Sequence, residues 1–137
     1  MIDFEFVSPT KIYFGNNKEE LIGQICLEGG YKRVYIVIGQ GSVKRNGLLK
    51  RVTDSLDKSG IKYKILEGVR PNPTIDLCHT GIKEAQIFTP NLILAIGGGS
   101  VIDTAKILRL VISTLVIHST SIYTKLDLRK PYQLVSF

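Results

Sequence analysis

Apolar and polar positions fall into short blocks along this chain, and glycine or proline separates most of them. Phe4 to Val7 and Lys11 to Phe14 are strand-like runs parted by Ser8-Pro9, and Pro9 cannot donate a ladder hydrogen bond, so the pair reads as an N-terminal edge β-ribbon. From Lys18 to Glu28, Leu21, Ile22, Ile25 and Cys26 recur at helical spacing, and Gly29-Gly30 ends the helix. Val34 to Ile38 is continuously apolar, which fits a strand of a parallel sheet covered on both faces. A helix from about Ser42 to Lys58 places Leu48 or Leu49, Val52 and Leu56 inward and stops at Gly60. Ile61 to Leu66 is the next strand. Thr74 then caps a helix that buries Cys78, Ile82 and Ala85, Leu92 to Ile96 is a further buried strand, and Ser100 opens another helix.

Strand and helix alternating at this spacing predict βαβ units with right-handed crossovers, hence an α/β fold with a doubly wound, Rossmann-like parallel sheet. Ligands of such sheets bind beyond the carboxyl ends of the strands. Ligand chemistry is therefore expected at Gly39-Gln40-Gly41-Ser42 and Gly97-Gly98-Gly99-Ser100.

The pattern changes near Ile107. All 13 glycines lie between Gly15 and Gly99, and from Leu110 to Ile117 the text is β-branched and leucine-rich, with no turn signal before Lys130-Pro131. Residues 1–106 read as the ordered domain. Residues 107–137 read as an atypical, strand-rich tail, such as a reading-frame shift with an early stop would leave, that stays out of the sheet and exposes the aggregation-prone run Val111 to Ile117.

Charge and cysteine content narrow the classes. The net charge is +6, with 14 Lys and Arg against 11 Asp and Glu in residues 1–106 and 4 against 1 in the tail. Half of the net basicity thus sits in the tail, and the earlier clusters Lys44-Arg45 and Lys50-Arg51 are not interleaved with aromatics, so nucleic acid is not an expected partner. Asp3 and Glu5 interrupt any signal-peptide layout and no apolar run is long enough to span a bilayer, so the expected location is the cytoplasm, with no membrane partner. Cys26 and Cys78 lie on apolar helical faces and form no framework, and His79 and His118 have no ligand-like spacing, so no metal site is expected.

The loops carry the chemistry. Gly97-Gly98-Gly99-Ser100 joins a buried strand to a helix, where residues without a β-carbon let backbone approach a ligand and free helical N–H groups favour an anion. It departs from both the G-x-G-x-x-G fingerprint and the P-loop. Ser100 and Asp103 form a capping-box-like pair, and Asp103 has two open readings: a cap alone, or a cap that also touches the nicotinamide end of a cofactor. Lys44 and Arg45, after Gly39, Gly41 and Ser42, read as a solvated helix flank. Pro71-Asn72-Pro73 fixes an extended segment that either holds the Asn72 amide free or is an ordinary turn.

Four segments in order resemble the N-terminal domain of the iron-containing (group III) alcohol dehydrogenases, particularly their butanol dehydrogenase branch. They are Phe6 to Gly15, Gly39 to Gly47, Gly68 to Pro73 and, most diagnostic, Leu94 to Lys106. The resemblance implies binding of NADP or NAD, with Gly97, Gly98, Gly99 and Ser100 on the pyrophosphate, Gly39, Gly41 and Ser42 near the adenosine ribose, and Asn72 close by. Gly39 stands where some relatives carry an acid, so NADP is expected to be tolerated. It further implies hydride transfer between the cofactor and a small alcohol or aldehyde, assisted by Fe²⁺ or Zn²⁺. The ligands of that metal, one Asp and three His, belong to a helical C-terminal domain of the family that is expected to be missing from this chain. The chain is then expected to carry the cofactor half alone, to possess no catalytic residues of its own, and to be able to form a homodimer. Two other readings stand beside this one: a non-catalytic nucleotide- or phosphate-binding module, and a relative of the glycerol dehydrogenase or dehydroquinate synthase type.

Overall fold

The computed structural model describes residues 16–72, 74–119 and 135–136, with side chains placed for 16–72 and 74–112. The expected N-terminal edge β-ribbon lies outside the described residues. A 3-10 turn at Lys18–Leu21 leads into helix α1 (Ile22–Gly29), which buries Ile22, Ile25 and Cys26 and ends on Gly30 in the left-handed conformation. Strand β1 (Arg33–Gly39) follows, with Val34 to Ile38 all buried. That is the central-strand environment its unbroken apolar text demands.

The single helix expected from Ser42 to Lys58 is two: α2 (Ser42–Arg45) and α3 (Leu48–Lys58). Asn46-Gly47 breaks it. Gly47 takes φ 75°, which costs a residue with a β-carbon about 1 kcal/mol, and Asn46 Oδ1 accepts from the Leu48 amide at 3.0 Å to start α3. Val52 and Leu56 are buried as expected, while Leu48 and Leu49 are half-buried. Strand β2 (Lys62–Val69) and helix α4 (Ile75–Phe88) come next, with the Thr74 hydroxyl accepting from the Leu77 amide at the α4 start. Of the inward set on α4, Ala85 is buried and Cys78 and Ile82 half-buried, and Gly81 is buried as well, because a β-carbon there would collide with Leu66 and Leu108.

Strand β3 (Leu92–Ile96) leads through the glycine turn into α5 (Gly99–Ser119). Here the structure corrects the reading of the tail. The β-branched text from Ile107 continues the helix without a break, and Leu108 is fully buried beneath it. Strand β4 (Val135–Ser136) then pairs with Leu94 and Ala95, so the expectation that the tail stays out of the sheet also fails.

The sheet order is β2-β1-β3-β4, and every pairing is parallel. One core, on one face of the sheet, joins Val34, Ile36 and Ile38 to Ile22 and Cys26 of α1 and Val52 and Leu56 of α3. The other joins Tyr35 and Val37 to Ala85 of α4 and to Val101, Ala105 and Leu108 of α5. Alternate residues of β1 thus feed opposite faces, which is the doubly wound arrangement expected.

Candidate functional site

Because the strands are parallel, the loops that leave their carboxyl ends share one edge of the sheet. Gly39 of β1 pairs with Val69 of β2, and Ile38 pairs with Ile96 of β3, so the Gly39 loop, the Arg70 to Asn72 segment and the Gly97 turn are brought to that edge together. Close packing sets the spacing: a β-carbon on Gly39 would lie 3.6 Å from the Val69 carbonyl oxygen and 3.7 Å from Val101 Cγ2.

The three glycines of the turn differ in why they are glycine. Gly97 has φ 151°, and a β-carbon there would sit 2.9 Å from Val101 Cγ2 and 3.3 Å from its Cβ, so backbone and packing both require it. Gly98 and Gly99 lie outside the left-handed region, and a β-carbon on either would meet nothing within 4 Å. Neither the backbone nor the core calls for glycine at those two places. What remains is open space at the start of a long helix, where the Gly99 and Ser100 amides precede the first helical hydrogen bonds.

That helix begins one residue before Ser100. The Gly98 carbonyl accepts from the Val101 amide at 3.0 Å and from the Ile102 amide at 3.2 Å. Ser100 is therefore inside the first turn instead of at the cap, and the expected capping box with Asp103 does not form. Asp103 is exposed and lies 3.5 Å from Lys106 Nζ, a surface pair worth less than about 1 kcal/mol. The Ser100 carbonyl accepts from Thr104 Oγ1 at 2.8 Å, which satisfies a fully buried hydroxyl that sequence reasoning passed over.

In the Gly39 loop, Gly41 takes φ 127° and its carbonyl accepts from the Lys44 and Arg45 amides, closing α2 as a single turn. Ser42 is exposed at its start. Lys44 makes an ion pair with Glu67 near the end of β2, and Arg45 Nη1 lies 3.5 Å from where a Gly41 β-carbon would be. Glu67 was not singled out from the sequence, because its meeting with Lys44 depends on the lateral pairing of β1 with β2. Asn72 is exposed at the same edge, with φ 60°. It is not held extended by the flanking prolines, because asparagine tolerates the left-handed region that gives this turn its shape.

Among the described residues no three His, Cys, Asp or Glu side chains come together, so the donors in place do not fit a catalytic Fe²⁺ or Zn²⁺. The glycine turn, in contrast, leaves open space beside Gly98 and Gly99 at the start of α5. Also among the described residues, no helix is long and apolar enough to cross a membrane.

The family model for iron-containing alcohol dehydrogenase matches residues 9–136. The chain belongs to the iron-containing alcohol dehydrogenase family. An NADH-dependent butanol dehydrogenase B from Clostridium acetobutylicum is 43% identical over 108 residues, which cover 79% of this chain and 27% of that protein. An NADPH-dependent butanol dehydrogenase from Clostridium saccharobutylicum is 39% identical over 101 residues, covering 74% of this chain and 25% of its own length. Among solved structures, an NADH-dependent butanol dehydrogenase A from Thermotoga maritima superposes with a TM-score of 0.73 at 39% identity, covering 77% of this chain and 27% of that one. This family member thus spans about a quarter of the length of the relatives it matches.

Proposed function

We propose that this chain supplies the cofactor-binding part of an NAD(P)-dependent alcohol dehydrogenase that interconverts a small alcohol and its aldehyde or ketone. One observation carries the reading: Gly98 and Gly99 lack side chains where the fold has room for them, at the carboxyl edge of a parallel sheet and the start of α5. Ligand approach is the demand that accounts for both. The relatives, butanol dehydrogenases that depend on NADH or NADPH, favour a nicotinamide dinucleotide as that ligand.

In this reading Gly97 shapes the turn, Gly98 and Gly99 admit the pyrophosphate, and the Gly99 and Ser100 amides with the Ser100 hydroxyl donate to it. Gly39, Gly41 and Ser42 receive the adenosine ribose, Asn72 flanks the cofactor, and Asp103 stands one turn further along α5. The nicotinamide, when bound, accepts or returns the hydride. Every residue assigned to the site lies within residues 1–106, while α5 and β4 beyond them complete the fold. The free thiols of Cys26 and Cys78 suit a reducing cytoplasm, and a homodimer without nucleic-acid or membrane contacts belongs to the same proposal.

Calorimetric titration of the chain with NADH and NADPH tests it. Weak binding of both is expected, and Gly98→Val should abolish it while leaving the melting temperature unchanged. Undiminished binding by Gly98→Val, or no binding to the unaltered chain at millimolar cofactor, would overturn the reading.

A further inference from the structure

The Gly39 loop is flanked by charges that the core does not need. On β2, Leu66 and Val69 are buried while Glu67 between them faces water, and on α2 Val43 is buried while Lys44 is exposed. The side chains of Lys44 and Glu67 are 48% and 59% exposed, so neither is held by packing. They meet because β1 and β2 end side by side, with Gly39 against Val69, which lets an acid of one strand reach a cation that follows the other. Arg45 bends back along Gly41 from the same turn.

We propose that the Lys44–Glu67 pair sets how this chain discriminates between dinucleotides with and without a phosphate on the adenosine ribose. The proposal rests on the cofactor reading of the Gly39 loop. A 2′-phosphate arriving there is attracted by Lys44 and Arg45. Glu67 opposes it twice, through its own negative charge and by occupying the Lys44 ammonium. A ribose that keeps its free 2′-hydroxyl suffers neither effect. Glu67 is thus a specificity residue supplied from a neighbouring strand, one that acts by holding another side chain.

The probes are 2′,5′-ADP and 5′-AMP, which differ by that phosphate and require only the adenosine end of the site. Glu67→Gln keeps the shape of the side chain and removes its charge. It should tighten 2′,5′-ADP roughly fivefold, the scale of one or two exposed charge pairs, and leave 5′-AMP unchanged. Lys44→Met should weaken 2′,5′-ADP, and adding Glu67→Gln to it should recover less than Glu67→Gln gains alone. All of these differences should shrink in 1 M salt, where the screening length is about 3 Å. An unchanged ratio of the two affinities in Glu67→Gln, or a change that survives 1 M salt undiminished, would overturn the proposal while leaving the cofactor reading in place. Failure of the unaltered chain to bind either nucleotide would overturn both.

Discussion

Replacing Gly97 by Ala separates the two demands made on the glycine turn. The new β-carbon meets Val101 Cγ2 at 2.9 Å, and Val101 cannot give way easily, since it is buried between α5 and the sheet in the cluster that holds Tyr35 and Val37. Val101 is also β-branched, so its rotation in a helix is restricted. The backbone adds a second cost, because φ 151° lies where side chains are rarely tolerated. Such strain runs to about 1–3 kcal/mol and overpacking to a similar amount, so together they should cost about 3 kcal/mol. For a chain of this size that lowers the melting temperature by about 10 °C. Gly99→Ala is the control: its β-carbon meets open space, and alanine is favoured over glycine inside a helix by up to about 1 kcal/mol, so the fold should be unharmed or slightly firmer. Thermal melts followed by circular dichroism distinguish them. Equal melting temperatures for Gly97→Ala and the unaltered chain, or a lower one for Gly99→Ala, would refute this account of why each glycine is there.

The remaining expectations concern the core, the helix start and alkaline pH. Leu108→Ala should cost about 2–5 kcal/mol in urea unfolding, because the side chain is fully buried against α4; a loss under 1 kcal/mol would show that α5 beyond Lys106 is not integral. Thr74→Ala removes the acceptor of the Leu77 amide and should cost about 1 kcal/mol in the same assay, with Thr74→Ser close to neutral. Burial pushes the Cys26 thiol from 9.0 up to about 11. The unfolded chain therefore releases this proton first, so its contribution is whole below pH 9 and is lost as pH rises toward 11. Cys26→Ala should flatten the fall in stability across that window, whatever its effect on stability at neutral pH, and an unchanged slope would exclude Cys26 as its source. Tyr35, raised above the ordinary tyrosine range first by burial and then by its hydrogen bond to Glu84, adds its own loss in both proteins, beginning at the ordinary tyrosine pKa and extending to higher pH.

The elements that were legible in the text are those whose sequence leaves one solution. The continuous apolar runs of β1 and β3 fit only strands buried on both faces, and Thr74 ahead of an amphipathic stretch fixes where α4 starts. The break at Asn46-Gly47 was overlooked because Val52 and Leu56 continue the helical spacing on its far side, yet Asn-Gly is itself a turn signal. The tail misled for the opposite reason. β-branched residues lower helix propensity by only a few tenths of a kcal/mol each, and a helix already nucleated at Gly99 and anchored by Val101, Ala105 and Leu108 overrides them. At the candidate site the glycines were visible as a pattern. Glu67 was not, because its meeting with Lys44 depends on the lateral pairing of β1 with β2, which no local spacing encodes.

The central claim is that an anionic dinucleotide lies on the start of α5. Amide chemical shifts in ¹⁵N-labelled protein, recorded while NADH is added, test it most directly. The largest changes should fall on Gly98, Gly99, Ser100 and Val101, with a second group at Gly39 to Ser42, and both should vanish in Gly98→Val. Shifts confined to other surfaces, or the same pattern persisting in Gly98→Val, would contradict it.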